Sequence, residues 1–541
     1  MNIKAKNWVI PLVVAAIFGT QSAGVLAGER ESLEEVRATT MSLIELLVQE
    51  GVLSKDKADA LLKQAQQAKQ KAREEAEALA AQEPAASEKP AEGQPKSIRV
   101  QYVPEHVKNE MRAEIEQEVM KKLNYKAGER LGIPEWIDRV EWTGALRLRY
   151  QEDMFNEFNT PPVFLRSSEV QNMSSVNNTT EDRDRQRVRA LFGANLKIND
   201  WLNGGIRFTT GLLQTPVTPN QTEGFSQGKF VFGLDRAFLE AKPYDWLTLT
   251  GGRFANPFFT GNQTFNTDLL WDPDLAFDGF VAKANPAINN HWRLFSSVGA
   301  FPIEEIEASD TNKARDKWLY AAQGGVEWTA SNDSKVKLGV AYYDFKNVEG
   351  ERNPLNDSVK YAGTAPLWRQ KGNNTFSIDG LNNNLCGDTG PCGLASKFQL
   401  FNVTGEIDLA TFDPVHVILH GAYVQNIGFD QQEILRRTGN LYKKENEGYE
   451  LSLLVGNPLI KKLHDWQVFG GYRRLERDAM IDGFTDSNFR LGGTDAKGFF
   501  VGGQYGVGKN AWLSSRYISA DEISGLPFSV DTFFLDFNGR F

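Results

Sequence analysis

Read in steps of two, the segment "FFLDFNGRF" sorts into two faces. Phe533, Leu535, Phe537, Gly539 and Phe541 share one, and Phe534, Asp536, Asn538 and Arg540 the other. Such alternation predicts a strand with one apolar and one wet face. The same texture begins near Val140. In "VEWTGALRLRY", Trp142, Gly144, Leu146, Leu148 and Tyr150 fall opposite Thr143, Ala145, Arg147 and Arg149. "RVRALFGANLKI" sets Val188, Ala190, Phe192 and Leu196 against Arg187, Arg189, Asn195 and Lys197. About sixteen such segments follow one another, beginning near 140, 184, 201, 230, 247, 277, 291, 318, 334, 398, 415, 448, 465, 497, 511 and 531.

The connections alternate in length. "IND", "KPYDW", "NPAINN", "ASNDS", "TFDP", "NPLIKKLHD" and "GKN" are tight and rich in turn formers, whereas 153–182, 214–228, 256–275 and 347–397 are long and polar. This predicts an all-β transmembrane barrel of about 16 antiparallel up-and-down strands over residues 137–541, with short turns facing the periplasm and long loops outside. An even count returns both ends to the periplasm. Pairing of the last strand with the first leaves no exposed edge.

Ahead of the barrel the pattern is helical. Leu33, Val36, Thr40, Leu43 and Leu47 are spaced like a heptad, and Ser54 is an N-cap candidate for a second helix, so residues 28–81 read as a helical or coiled-coil segment. Residues 82–97 form a Pro/Ala/Glu linker. Residues 98–136 read as a short strand followed by a helix carrying Val107, Met111, Ile115, Val119 and Leu123. Residues 1–27 have the form of a signal peptide. Lys4 and Lys6 precede the apolar stretch Trp8–Phe18, and Val25–Ala27 ends on a small residue suited to cleavage. The expected location is the outer membrane, with the helices in the periplasm.

Charge and cysteine count narrow the picture further. Lys and Arg total 60 against 70 Asp and Glu, a net charge of −10, which argues against a nucleic-acid partner. The two cysteines, Cys386 and Cys392, sit among Gly, Asn and Pro and are expected to close a loop as a disulfide. No cofactor or metal is implied. "GQYGVGKN" nearly matches a phosphate-binding loop, but Asn510 replaces the Ser or Thr that would hold Mg²⁺. His416 and His420 share a face, yet they stand ~13 Å apart along a strand. An enzyme is not expected.

"LIELLVQEGVLSKDKADALL", "VQYVPEHVKNEMRAEIEQEV", "PEWIDRVEWTGALRLRYQ" and "GGRFANPFFTGNQTFNTDLLWDPDLAFDGF" together resemble the "putative porin" family of Gram-negative outer membranes, across essentially the whole mature chain. The resemblance implies a barrel channel but no particular solute. Its partners would be outer-membrane lipid, lipopolysaccharide and small hydrophilic solutes, with a homotrimer by analogy. The ending through Phe537 and Phe541 resembles the sorting signal read by the barrel-assembly machinery. The N-terminal helices are candidates for oligomerisation, for contact with peptidoglycan, or for a simple solvated spacer.

A sixteen-stranded barrel is too wide for side chains to fill, so an aqueous lumen is expected. Parity turns Arg147, Arg149, Arg187, Arg189, Lys197, Arg207 and Arg236 inward as a basic wall, with Glu327, Glu406, Asp408 and Glu450 on the opposing arc. The third long loop carries Asp268, Asp272 and Asp274 beside the apolar residues Leu269, Leu270 and Trp271. Resemblance to porins implies that this loop folds inward and sets its carboxylates against the arginines. Three functions follow: a general diffusion channel, a substrate-selective channel preferring anions, and a structural or tethering barrel with a plugged lumen.

Overall fold

The computed structural model describes residues 135–169, 178–261, 269–379 and 391–541. The expected signal peptide, helices and linker lie outside the described residues, as do Asp268 and Cys386. A short 3-10 turn, Glu135–Arg139, leads into the barrel.

Sixteen strands form its wall: β1 (Val140–Phe155), β2 (Arg183–Lys197), β3 (Leu202–Thr210), β4 (Phe232–Tyr244), β5 (Leu247–Ala255), β6 (Ala276–Ala284), β7 (Trp292–Glu304) and β8 (Lys317–Thr329), then β9 (Lys335–Lys346), β10 (Gln399–Phe412), β11 (Val415–Asn426), β12 (Glu447–Gly456), β13 (Trp466–Leu475), β14 (Ala496–Gly508), β15 (Ala511–Glu522) and β16 (Val530–Arg540). Each begins within two residues of its expected start. Neighbours pair antiparallel in chain order, and β1 pairs with β16 from Ala145↔Arg540 to Phe155↔Val530, which closes the barrel. At the seam Phe541 and Gly144 exchange two backbone hydrogen bonds of 3.0 Å, N–H to carbonyl in each direction. Gly144 suits this place: a Cβ there would meet the Phe541 ring at 2.2 Å.

Alternation decides which side chains face out. On β1, Leu146 is 57% exposed and Leu148 54%, while Arg147 and Arg149 between them are buried. Near the rim that bears the short turns, Trp142, Trp201, Tyr244, Trp246, Trp292 and Trp466 form an exposed aromatic band. Tyr150, Tyr320, Tyr342, Tyr449 and Tyr472 form a second band higher up. Two aromatic girdles flanking an apolar belt are the surface that a bilayer solvates. No helix among the described residues is long and apolar enough to cross a membrane.

The outer loops occupy much of the lumen. We number them in chain order; the third (L3) is 256–275, the fifth (L5) 347–398 and the seventh (L7) 476–495. The largest apolar cluster lies inside the barrel. It joins Leu269, Leu270, Trp271 and Leu275 of L3 to Phe254, Phe277, Phe301, Tyr343 and Phe345 of the wall and to Met480 and Ile481 of L7. The sixth loop contains a helix, Gln431–Thr438, capped by the Asp430 carboxylate, which accepts from the N–H groups of Gln432 and Glu433. L5 contributes Cys392, fully buried in the short strand Cys392–Leu394.

Candidate pore site

Register brings the basic residues of β1 and β2 together in pairs: Arg147 lies opposite Arg189, and Arg149 opposite Arg187. Like charges directly across a ladder repel, so each needs a compensating group. Arg149 has one in Asp536 of β16, a two-pronged pair with Nε to Oδ1 at 2.7 Å and Nη2 to Oδ2 at 2.8 Å. Arg187 donates to Gln151 Oε1 at 3.0 Å. Arg189 reaches Asp274 of L3 at 3.1 Å. Arg207 pairs with Asp235 at 2.6 Å, and Arg236 lies 3.8 Å from the same carboxylate. Asp235 enters the lumen because a bulge follows the Arg207↔Arg236 pair. Arg147, like Arg187, is answered by neutral partners. It is only 4% exposed, and its partner is the neutral Asn220 Oδ1 at 2.8 Å.

L3 is anchored by its apolar residues. Trp271, 1% exposed, packs edge-on against Phe277 and Tyr343, with centroids 5.0 and 5.3 Å away, and tilts against Phe345 and Phe484. Polar links add to this. The Asp272 N–H donates to Phe484 O, and Arg473 Nη2 donates to Leu269 O at 3.0 Å. The two described loop aspartates, Asp272 and Asp274, do not act alike. Asp274 meets the basic wall. Asp272 is buried against L7, where its carboxylate accepts from the Ser487 and Asp274 N–H groups at 2.8 Å. Burial pushes its carboxyl well above the ordinary range, and the neighbouring Asp274 and Asp486 push it further.

The acids of the opposing arc are placed on β8, β10 and β12. Glu327 pairs with Lys337 at 3.4 Å and Asp408 with His416 at 2.6 Å. Glu406 stands across from His420 in register. Glu450 lies opposite Arg473 and 3.9 Å from His420.

The wet face of the last strand, with Asp536 and Arg540, is joined in the lumen by Arg473 and Arg516, whose inward parity is present in "YRRL" and "SSRY". A larger surprise is the connection 457–465. The Asp465 carboxylate accepts from the Lys461 and Lys462 N–H groups, both at 2.9 Å, and Arg540 Nη2 donates to Ile460 O at 2.8 Å. These bonds curl Pro458, Leu459 and Ile460 into the barrel. There they face Arg147, Arg149, Arg189, Arg516 and Arg540 across a cavity of ≈ 360 Å³. The only acid in that lining is Asp536.

A barrel with this lining matches a known family model, described as "putative porin", over residues 37–541. The chain belongs to that porin family. No curated protein sequence matches it. Solved structures similar to it include the outer-membrane channel DcaP of Acinetobacter baumannii, at 12% identity, covering 74% of this chain and 97% of that one, with a TM-score of 0.37. OprB of Pseudomonas putida is 13% identical, with 76% and 97% coverage and a TM-score of 0.42. A loop-deleted OmpT of Vibrio cholerae is 12% identical, with 74% and 99% coverage and a TM-score of 0.37. Membership of the porin family makes this chain an outer-membrane channel. Its match begins at residue 37, so the family pattern extends well ahead of the barrel.

Proposed function

We propose that this porin passes small hydrophilic solutes and ions by passive diffusion, favours anions, and is narrowed by its third outer loop. The observation that carries the reading is the arginine cluster at the lumen cavity, five guanidiniums against the single carboxylate of Asp536. Charges lining a narrow, low-dielectric passage set the sign of the ion that enters. The Asp274–Arg189 pair supports contact between L3 and the basic wall. Conductance and reversal potential of the purified protein in a planar bilayer under a KCl gradient test it. A reversal potential of the sign set by chloride is expected; cation preference refutes the anion reading.

One observation favours a second reading, a plugged and structural barrel. L5 and L7 meet through Arg369 and Asp482, 2.6 Å apart with side chains 1% and 0% exposed. A lumen held this firmly conducts little, and the segment ahead of the barrel, as a periplasmic tether to peptidoglycan, then carries the function. Silence from a correctly folded, heat-modifiable protein in the same bilayer supports this alternative. We further propose a homotrimer bearing lipopolysaccharide at its outer rim, assembled through the Phe537 and Phe541 ending.

A further inference from the structure

The lower cavity has two unlike walls. One is cationic: Arg147 and Arg189 from β1 and β2, with Arg516 and Arg540 from β15 and β16. The other is largely apolar: Phe469 and Trp512 of the barrel with Leu459 and Ile460 of the curled-in connection. A cavity of ≈ 360 Å³ falls at the lower end of small-molecule sites, which run ~300–1,000 Å³.

Arg147 is the reason to expect an anion here. A buried charge is costly unless it is paired, and no carboxylate lies within ion-pair distance of Arg147 among the described residues. Of its two cross-strand neighbours one is another guanidinium, Arg189, and the other the neutral Asn538. The Nε atoms of both arginines are buried without a hydrogen-bond partner among the described residues. The one acid of the lining, Asp536, already holds both prongs of Arg149. Arg189 already holds Asp274, through Nη1 alone, and an incoming carboxylate would accept from Arg147 and from Arg189 beside it, offsetting their mutual repulsion.

The opposite wall says what kind of anion. An inorganic ion gains nothing from Phe469, Trp512 and Leu459, whereas a small apolar body removes their surface from water. We infer that this cavity is a binding site for small organic acids, with the carboxylate on Arg147 and Arg189 and the apolar body against Trp512, Phe469 and Leu459. The inference rests on the anion-favouring reading of the channel. It names the solute class and the subsite that reading leaves open.

The test uses the folded full-length protein in detergent, so that binding is read independently of conduction. Benzoate and inorganic phosphate are titrated by calorimetry, and benzylamine serves as the cationic control. Benzoate is expected to bind saturably and at least about tenfold more tightly than phosphate. Arg147→Gln should weaken benzoate at least about tenfold. Leu459→Ser, on an exposed connection, should weaken benzoate severalfold and leave phosphate unchanged. Folding of each variant is checked by heat-modifiability, and Leu459→Ser keeps the test decisive if Arg147→Gln does not fold. Equal affinity for benzoate and phosphate, or binding of benzylamine, overturns the organic-acid site. Anion conductance without saturable benzoate binding overturns it while leaving the channel reading intact. Saturable benzoate binding by a silent protein upholds the site and removes the diffusion reading instead.

Discussion

Trp271→Ala should free the third loop from the lumen without unfolding the barrel. The indole is fully enclosed, and its partners come from the wall (Phe277, Tyr343, Phe345) and from L7 (Phe484). Truncating a buried Trp costs ~3–5 kcal/mol, the lost transfer energy plus the void left behind. Strand pairing does not depend on this side chain, so the loss falls on the docked state of L3. At ~1.4 kcal/mol per factor of ten, the undocked population rises by roughly two to three and a half powers of ten. The remaining anchors include Phe258, Leu269, Leu270 and Leu275, the Asp274–Arg189 pair, and the Asp272, Arg473 and Gln323 hydrogen bonds. These keep some docking, so the signature is a larger and noisier single-channel conductance with anion preference retained. Limited proteolysis should cut L3 faster, while heat-modifiability on gels stays normal. Trp271→Phe, which keeps most of the apolar volume, should behave almost as the parent protein. Parental conductance and parental proteolysis from a folded Trp271→Ala protein would show that L3 is not held by this contact.

Three further outcomes follow from the loops and the seam. Asp478 of L7 is fully buried, and burial pushes its carboxyl up to about 7, against opposing hydrogen bonds from Asn374. Its folded value lies above the unfolded one, so the folded state holds the proton more tightly. The L5–L7 contact is therefore firmest below the ordinary carboxylate range and weakens as pH rises toward about 7, by on the order of a few kcal/mol. Conductance should be lower at pH 5 than at pH 8, and Asp478→Asn should flatten that difference. Asp482→Ala leaves the buried Arg369 without this carboxylate and should cost ~3–5 kcal/mol, read as earlier loop cleavage in a protease titration. Removing Phe541 deletes both backbone bonds to Gly144 at the closing seam, and the yield of heat-modifiable barrel should fall; an unchanged yield would show that the β1–β16 ladder closes without them.

What the sequence made legible was radial, and what it hid was longitudinal and cross-lumen. Period two is a local property, so "ALRLRY" alone assigns Arg147 inward and Leu148 outward, and the strand starts follow from where that period begins. The closing ladder also implies one cross-strand ion pair. Once β16 is laid against β1, register places Asp536 opposite Arg149, 387 residues away, and the pair is implied. The loops resist such a reading because polarity does not imply solvation. Asn373, Asp478 and Asp482 are polar loop residues, yet each is buried with hydrogen bonds made inside the lumen. A barrel interior admits polar chains in either condition, and composition does not separate them. The 457–465 connection carries a local sign, the adjacent pair Leu459 and Ile460 in a short turn whose other residues, Leu463 apart, are polar or turn-forming. Two apolar side chains on such a turn need a dry surface, and curling into the barrel supplies one for Ile460. The same curl gives the arginine cavity its apolar floor. The least strand-like turn of the rim thus decides which anions the basic wall can tell apart.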